Sequence, residues 1–549
     1  MGRRCLFGTW VVLLWAGSLA WGADRPALRE LSKLPTLTFD VGVSFSFSRG
    51  RGLRLWWDFP DYPAEIAALE KSLKGDAWDA ERVHRIGELA REMGDDARAS
   101  KAFERAVALY RERLKAQPGS GLLMASLGQA LGDLGKIEEA EKTLREAARV
   151  APKEWRCWML LAQLLENQAL AILTGPAAGG SAADEMLARA FAGVSPAHLP
   201  QPAELERAER LLDEARDTHD RAVALAMETT QGNGPGAAKA HAERGGSRGF
   251  TQALLRGVLA QMRGQKVDPR QKMLSPDSLA DFRRAADLDP GSVELVALAG
   301  LCEVFGFALA QGHPWEAIWP ALPEESKARV RRAMERLERL GQVKDARVAA
   351  AALDALGMVA YVASEEKRAE ESLRRAVKRD PSRARTWEML AMILGAGGRY
   401  EELVTWCKER LAYRDTVRTR LLLAKAYEKL GQLALAEEQV RAATALAPND
   451  FYVSLGYAAL LMRRSEAPKV LAEANGHLIR AEQACAAGCT LQQWVELVLT
   501  RAIHLGLSGE EEKARGLLTE CLNRDPGNKE VRQALAALGD GQKRPEERP

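Results

Sequence analysis

Residues 37 to 48 alternate strictly: Leu37, Phe39, Val41, Val43, Phe45 and Phe47 against Thr38, Asp40, Gly42, Ser44, Ser46 and Ser48. A period of two predicts a strand with one dry face. Leu53, Leu55, Trp57 and Phe59 alternate again beyond Gly50 and Gly52, so residues 37–59 read as a β-hairpin. An isolated hairpin is marginal in water, and its dry face needs cover; the helices from Pro63 onward are the expected cover. From there the period changes. Apolar positions recur three and four residues apart, as in Ala436, Val440 and Ala443, which predicts helices with one buried stripe.

The helical pattern itself repeats. Gly128 is followed by Ala140, Leu144, Ala147 and Pro152, at steps of 12, 4, 3 and 5 residues. Gly357, Ala369, Leu373, Ala376 and Pro381 keep those steps. So do Ala424, Ala436, Val440, Ala443 and Pro448, and Ala502, Ala514, Leu518, Cys521 and Pro526. Small residues on facing helices let the axes approach at the close end of the usual 8–10 Å range. Gly135, Gly431 and Gly509 suit a left-handed turn between paired helices, and the closing proline ends the second helix. The pattern resembles the tetratricopeptide repeat (TPR), a helix–turn–helix unit of about 34 residues. The resemblance runs from about residue 80 to 528. It is close at 121–154, 350–383, 417–450 and 495–528, and degenerate at 250–345 and 451–490. It implies an all-α fold, a TPR-type right-handed superhelical solenoid with a short N-terminal β-hairpin.

Composition shifts divide the chain. Residues 1–22 have a positive start at Arg3 and Arg4, an apolar run and small residues near its end, the form of a secretory signal peptide. An uncleaved anchor is the alternative, although the run is short for a span. Residues 23–62 hold the hairpin, 63–172 an N-terminal TPR arm, and 173–249 an insertion in which loop-like stretches (173–201 and 229–249) flank one long helix. A C-terminal TPR arm follows at 250–528, then a capping helix and disordered tail at 529–549. No later apolar run is long enough for an integral membrane span, so the mature chain is expected to be exported, periplasmic or extracellular. The style of the signal and the absence of an N-x-S/T sequon point to a bacterium.

The chain carries 78 basic and 75 acidic residues, a net charge of +3, which gives no global drive toward nucleic acid. Six cysteines lie beyond the signal. Cys157, Cys302, Cys407 and Cys521 read as buried thiols; Cys485 and Cys489 flank Gly488 and form a candidate disulfide, with free thiols also compatible with the spacing. No catalytic, metal or cofactor site is predicted. Gly245-Gly246-Ser247-Arg248-Gly249 matches G-x-S-x-G, but that motif needs a strand before it and a helix after it, and here it ends a polar, glycine-rich stretch. A buried polar set around Ser247 or a histidine is the observation that would raise an enzyme reading.

The resemblance also implies where a partner binds. In the family the first helix of each unit lines a concave face. By register that face carries His84, Glu88, Arg91, Gln129, Asp133, Met159 and Gln163, then Asp354, Met358, Tyr361, Glu388 and Met392, then Lys425, Glu428, Tyr452 and Met462. This mixture of charge, methionine and tyrosine suits a protein or peptide better than nucleic acid. The family's basic clamp for acidic peptide termini is not expected, since its places hold Ala125, Gln129, Asp354 and Met358. The expected function is a non-catalytic protein-interaction scaffold in the bacterial cell envelope. The alternative is an assembly or anchoring factor that adds its hairpin to a partner's sheet.

Overall fold

The computed structural model describes residues 44–48, 52–56, 62–73, 80–92, 95–174, 200–267, 273–311, 315–486, 489 and 491–540. The expectations for the signal peptide, for residues 37–43, 49–51 and 57–59 of the hairpin, for 175–199 and for the tail from 541 lie outside them. Two compact units make up the chain. The larger holds residues 43–178 and 195–386; the described residues from Trp387 onward belong to the other.

The larger unit begins with two short strands, β1 (Ser44–Ser48) and β2 (Gly52–Trp56), paired antiparallel with Ser44 opposite Trp56. Among the described residues, every element after them is a helix. In chain order these are α1 (Tyr62–Leu73), α2 (Ala80–Glu92), α3 (Asp96–Ala116), α4 (Gly121–Asp133), α5 (Ile137–Val150), α6 (Trp155–Thr174), α7 (Pro202–Thr229) and α8 (Pro235–Gly246). A π-helix (Ser247–Gln252) runs into α9 (Ala253–Met262). Then come α10 (Pro276–Leu288), α11 (Val293–Gln311), α12 (Trp315–Ala321), α13 (Glu324–Leu340), α14 (Ala346–Val362) and α15 (Glu366–Arg379). The boundary between the units falls within α16 (Ala384–Ala396). The smaller unit continues with α17 (Tyr400–Tyr413), α18 (Val417–Lys429), α19 (Leu433–Leu446), α20 (Phe451–Arg464), α21 (Pro468–Ala486), α22 (Leu491–Leu507), α23 (Glu511–Arg524) and α24 (Lys529–Asp540).

Consecutive helices pair as the spacing predicts: α2 with α3, α4 with α5, α14 with α15, α18 with α19, α20 with α21 and α22 with α23. The phased small residues form the seams. Ala369, Leu373 and Ala376 are fully buried, as are Ala436 and Ala443, and Ala514, Leu518 and Cys521. A methyl built on Gly128 would meet Leu144 Cγ at 2.6 Å, and one on Gly357 would meet Leu373 Cγ at 2.6 Å, so each glycine marks a point of helix contact. The turn glycines Gly135, Gly431 and Gly509 have φ of 83°, 74° and 82°. The 350–383 repeat has Ser364 in that place, at φ 59°. Val531, Ala534 and Leu538 of α24 are buried at the C-terminal end of the smaller unit.

The larger unit departs from the sequence reading between residues 155 and 288. The stretch 229–249, expected to be a flexible linker, contains helix α8, which starts at Pro235 and packs on α10. Gly245 is a contact position: a methyl there would lie 3.1 Å from Asp281 Cβ and 3.2 Å from the Phe282 ring. Tertiary packing outweighs glycine's poor helix propensity there. The long helix expected inside an insertion, α7, pairs with α6, so both elements belong to the helical stack. β2 lies beside α6, α8 and the π-helix, all far along the sequence, whereas the first helices were the expected cover.

Candidate functional site: the face of the first helices

The predicted face is largely internal. His84, Glu88, Asp133, Met159, Gln163, Asp354, Met358 and Met462 are buried, while Arg91, Gln129, Tyr361, Glu388, Met392, Lys425, Glu428 and Tyr452 are half-buried. The polar members are not idle in the chain. Asp133, Gln163, Asp354, Glu388 and Glu428 tie first helices to their neighbours.

At the start of the larger unit, α2 presents His84, Glu88 and Arg91 one helical turn apart, and α4 brings Asp133. His84 Nε2 lies 2.8 Å from Asp133 Oδ2, and Arg91 Nη1 donates to Asp133 Oδ1 at 3.0 Å. The His84 ring sits edge-on to Phe103 and Tyr110, which hold it in place. One donor atom each from His84, Glu88 and Asp133 falls within 4.8 Å of the others, a spacing that could hold a cation. The sequence reading predicted no metal site, because the third group, Asp133, arrives from the next repeat. Two guanidiniums already face these carboxylates, Arg91 on Asp133 and Arg85 on Glu88 at 3.3 Å. Each carboxylate thus already faces a guanidinium, and the cluster joins two repeats.

Further along, α7 and α8 cover the predicted face. The Met159 sulfur lies 3.1 Å from His219 Nδ1 on α7, and Gln163 Nε2 donates to Glu243 on α8 at 3.1 Å. Beneath them is a buried polar set around Ser247 that includes a histidine, the observation named above as raising an enzyme reading, and its members come from separate elements that the sequence did not bring together. Ser247 Oγ donates to Glu166, Gln252 Nε2 donates to Glu166 Oε1 at 2.9 Å, and His219 Nε2 lies 3.4 Å from that oxygen. Glu166 and His219 are each 2% exposed. The serine is bound to a carboxylate and not to a histidine, and the set is sealed from solvent. G-x-S-x-G here spans a helix and a π-helix and lacks the strand that exposes a nucleophile. Beside it, Asp281 on α10 lies 2.8 Å from His241 Nδ1 and accepts bonds from Arg244 at 2.6 and 3.0 Å. Burial pushes the Asp281 carboxyl up, but the bonds from His241 and Arg244 outweigh it and hold the group below its ordinary range. In the same unit, Arg383 pairs with Asp354 at 3.2 Å and Arg385 Nη2 donates to the Met358 sulfur at 3.0 Å.

The smaller unit has its own cluster. Glu388 pairs with Arg418 at 3.1 Å. Glu428 takes an ion pair from Arg463, and Lys425 Nζ lies 3.7 Å from the same carboxylate oxygen. Two cations share one anion. Burial pulls the Lys425 ammonium well below its usual pKa, with Arg463 and Lys429 adding to the shift, and burial pulls Arg463 down to about 10. Cys485 and Cys489 are joined by a disulfide, and Cys157, Cys302, Cys407 and Cys521 are buried free thiols. Burial pushes Cys157 up to about 11 and Cys407 and Cys521 up to about 12. No helix among the described residues is long and apolar enough to cross a membrane.

Tetratricopeptide-repeat family profiles match residues 79–153, 355–410 and 417–450. No curated protein matches the chain. Among solved structures, yeast Tom70 is 16% identical, with 88% of this chain and 94% of that one covered and a TM-score of 0.37. Pseudomonas aeruginosa PilF is 20% identical over 45% of this chain and 98% of its own, with a TM-score of 0.30. The C-terminal part of a TPR repeat-containing protein from Cytophaga hutchinsonii is 16% identical over 47% and 93%, with a TM-score of 0.29. The chain carries tetratricopeptide repeats in both of its units, and repeats of this kind generally mediate protein–protein interaction.

Proposed function

We propose that the protein is a non-catalytic scaffold that holds a protein or peptide partner along the first helices of its repeats, in the bacterial cell envelope. The observation that carries this reading is the interlocked face. Ion pairs such as Asp133 with Arg91 and Glu428 with Arg463 fix the half-buried side chains before any partner arrives, which lowers the entropy cost of binding. The contact residues are then the half-buried members: Arg91, Gln129, Tyr361, Glu388, Met392, Lys425, Glu428 and Tyr452. The Cys485–Cys489 disulfide supports an oxidising compartment, in line with a signal peptide at residues 1–22.

The test is a pull-down from envelope extract with the full chain, a Gln129→Arg/Tyr361→Ala variant, and a variant lacking residues 37–59. Loss of a defined partner with the first-helix variant, at unchanged circular dichroism, is the expected result. A second reading, strand addition, has one observation in its favour: β1 and β2 form a sheet of only two strands among the described residues. Capture that survives the first-helix changes but disappears with residues 37–59 would replace the first reading by the second.

A further inference from the structure

The larger unit contains a cavity of about 370 Å³ between α10, α11 and α13, and no residue of the predicted face lines it. Its volume falls at the small end of the roughly 300–1,000 Å³ typical of ligand clefts. Arg329, Arg332 and Arg336 of α13, at spacings of three and four, share one helical face that turns toward it, and Arg283 enters from α10. Against these four cations the lining holds two carboxylates, Asp287 and Glu303. Gly300 lies where α11 meets α13 closely; a methyl there would fall 3.0 Å from Ala333 Cβ.

The carboxylates position the arginines and leave donors over. Arg283 Nε donates to buried Glu303 at 2.5 Å, and Arg329 Nη1 lies 3.6 Å from the other oxygen of that carboxylate. Arg329 also pairs with Glu325, which stands outside the cavity. Arg336 donates to Asp287 at 2.9 Å and to the Ala286 carbonyl at 3.3 Å. Arg332 is exposed and makes no ion pair among the described residues. A guanidinium has five N–H donors in a rigid fork, so these bonds hold Arg283, Arg329 and Arg336 in place with donors left over, and Arg332 keeps all of its own. The plain alternative is a solvated lattice of surface ion pairs. That accounts for Arg329 with Glu325, but not for the excess of positive charge around one shared volume. A nucleic-acid strand is a poor occupant, since the cavity is small and its wall includes two carboxylates.

We infer that this cavity binds a compact multivalent oxyanion, a polycarboxylate or a phosphate, held by forked guanidinium bonds. The inference does not depend on the scaffold reading. Calorimetric titration of the full chain with citrate and with pyrophosphate, each against chloride at equal ionic strength, tests it and tells the two oxyanion classes apart. At least one anion is expected to bind at one site per chain. Arg332→Glu is expected to weaken it about tenfold or more, at least about 1.4 kcal/mol. Arg331→Glu, a charge reversal at the adjacent residue outside the cavity, should leave the affinity unchanged. If circular dichroism shows that Arg332→Glu disturbs the fold, Arg332→Gln replaces it. Heat no greater than that of chloride for both anions, or equal weakening by the changes at 331 and 332, would overturn the inference.

Discussion

Gly357 and Gly516 are both interior helical glycines, on α14 and α23, and the same substitution is expected to have clearly different effects at the two. A methyl on Gly516 meets nothing within 4 Å, so Gly516→Ala gains helix propensity alone, about 0.5–1 kcal/mol of stabilisation. A methyl on Gly357 would lie 2.6 Å from Leu373 Cγ, 2.8 Å from Leu373 Cδ2 and 3.2 Å from the Ala369 carbonyl oxygen. Leu373 is fully buried against the adjoining helix, and Ala369 O is backbone, so neither side yields without moving α15. Overpacking of this kind costs about 1–3 kcal/mol. The propensity gain offsets part of that, leaving Gly357→Ala neutral to about 2 kcal/mol destabilising, and the two variants about 1–3 kcal/mol apart. A stacked array of this length need not unfold in one step, so a global midpoint is a poor readout. Native-state hydrogen exchange of the α14–α15 and α23 amides measures the local opening energies directly. If Gly357→Ala slows exchange as much as Gly516→Ala does, α14 and α15 are not in the close contact described, and the argument from phased small residues fails.

Ser364 holds a left-handed turn that glycine holds in four other repeats, at Gly135, Gly398, Gly431 and Gly509, so Ser364→Gly should stabilise α14–α15 by about 1 kcal/mol, and Gly431→Ala should destabilise α18–α19 by a similar amount, both read by the same exchange experiment. Lys425 is depressed in the folded state, so the unfolded chain binds more protons and stability should rise with pH above neutrality. Lys425→Met should reduce that slope and raise the unfolding free energy of the smaller unit by about 1 kcal/mol or more, Arg463 remaining to pair Glu428. Asp281 is depressed, so its contribution is present above the unfolded carboxylate pKa of about 3.9 and lost as pH falls through its lower folded value; Asp281→Asn should flatten the acid limb of larger-unit stability. The buried thiols should react slowly with a disulfide reagent until the chain is unfolded. Unfolded without reduction, a chain lacking residues 1–22 should then titrate as the four free thiols of Cys157, Cys302, Cys407 and Cys521.

The sequence alone determined the repeat. Spacings of 12, 4, 3 and 5 are local, and a helix converts them into one face whatever surrounds it, so Ala369, Leu373 and Ala376 could be placed in a seam before any coordinates. The turn glycines were legible for the same reason, since a left-handed φ is a property of one residue. What only the tertiary structure decided is which distant groups meet. His84 reaches Asp133, Gln163 reaches Glu243 and Glu166 reaches Ser247 across 49, 80 and 81 residues, separations with no periodic trace in the sequence. That is why half of the predicted face proved buried. It is also why a glycine-rich stretch taken for a linker became α8: its small residues mark close approach to a neighbour, and the neighbour is known only once the chain has folded back on itself.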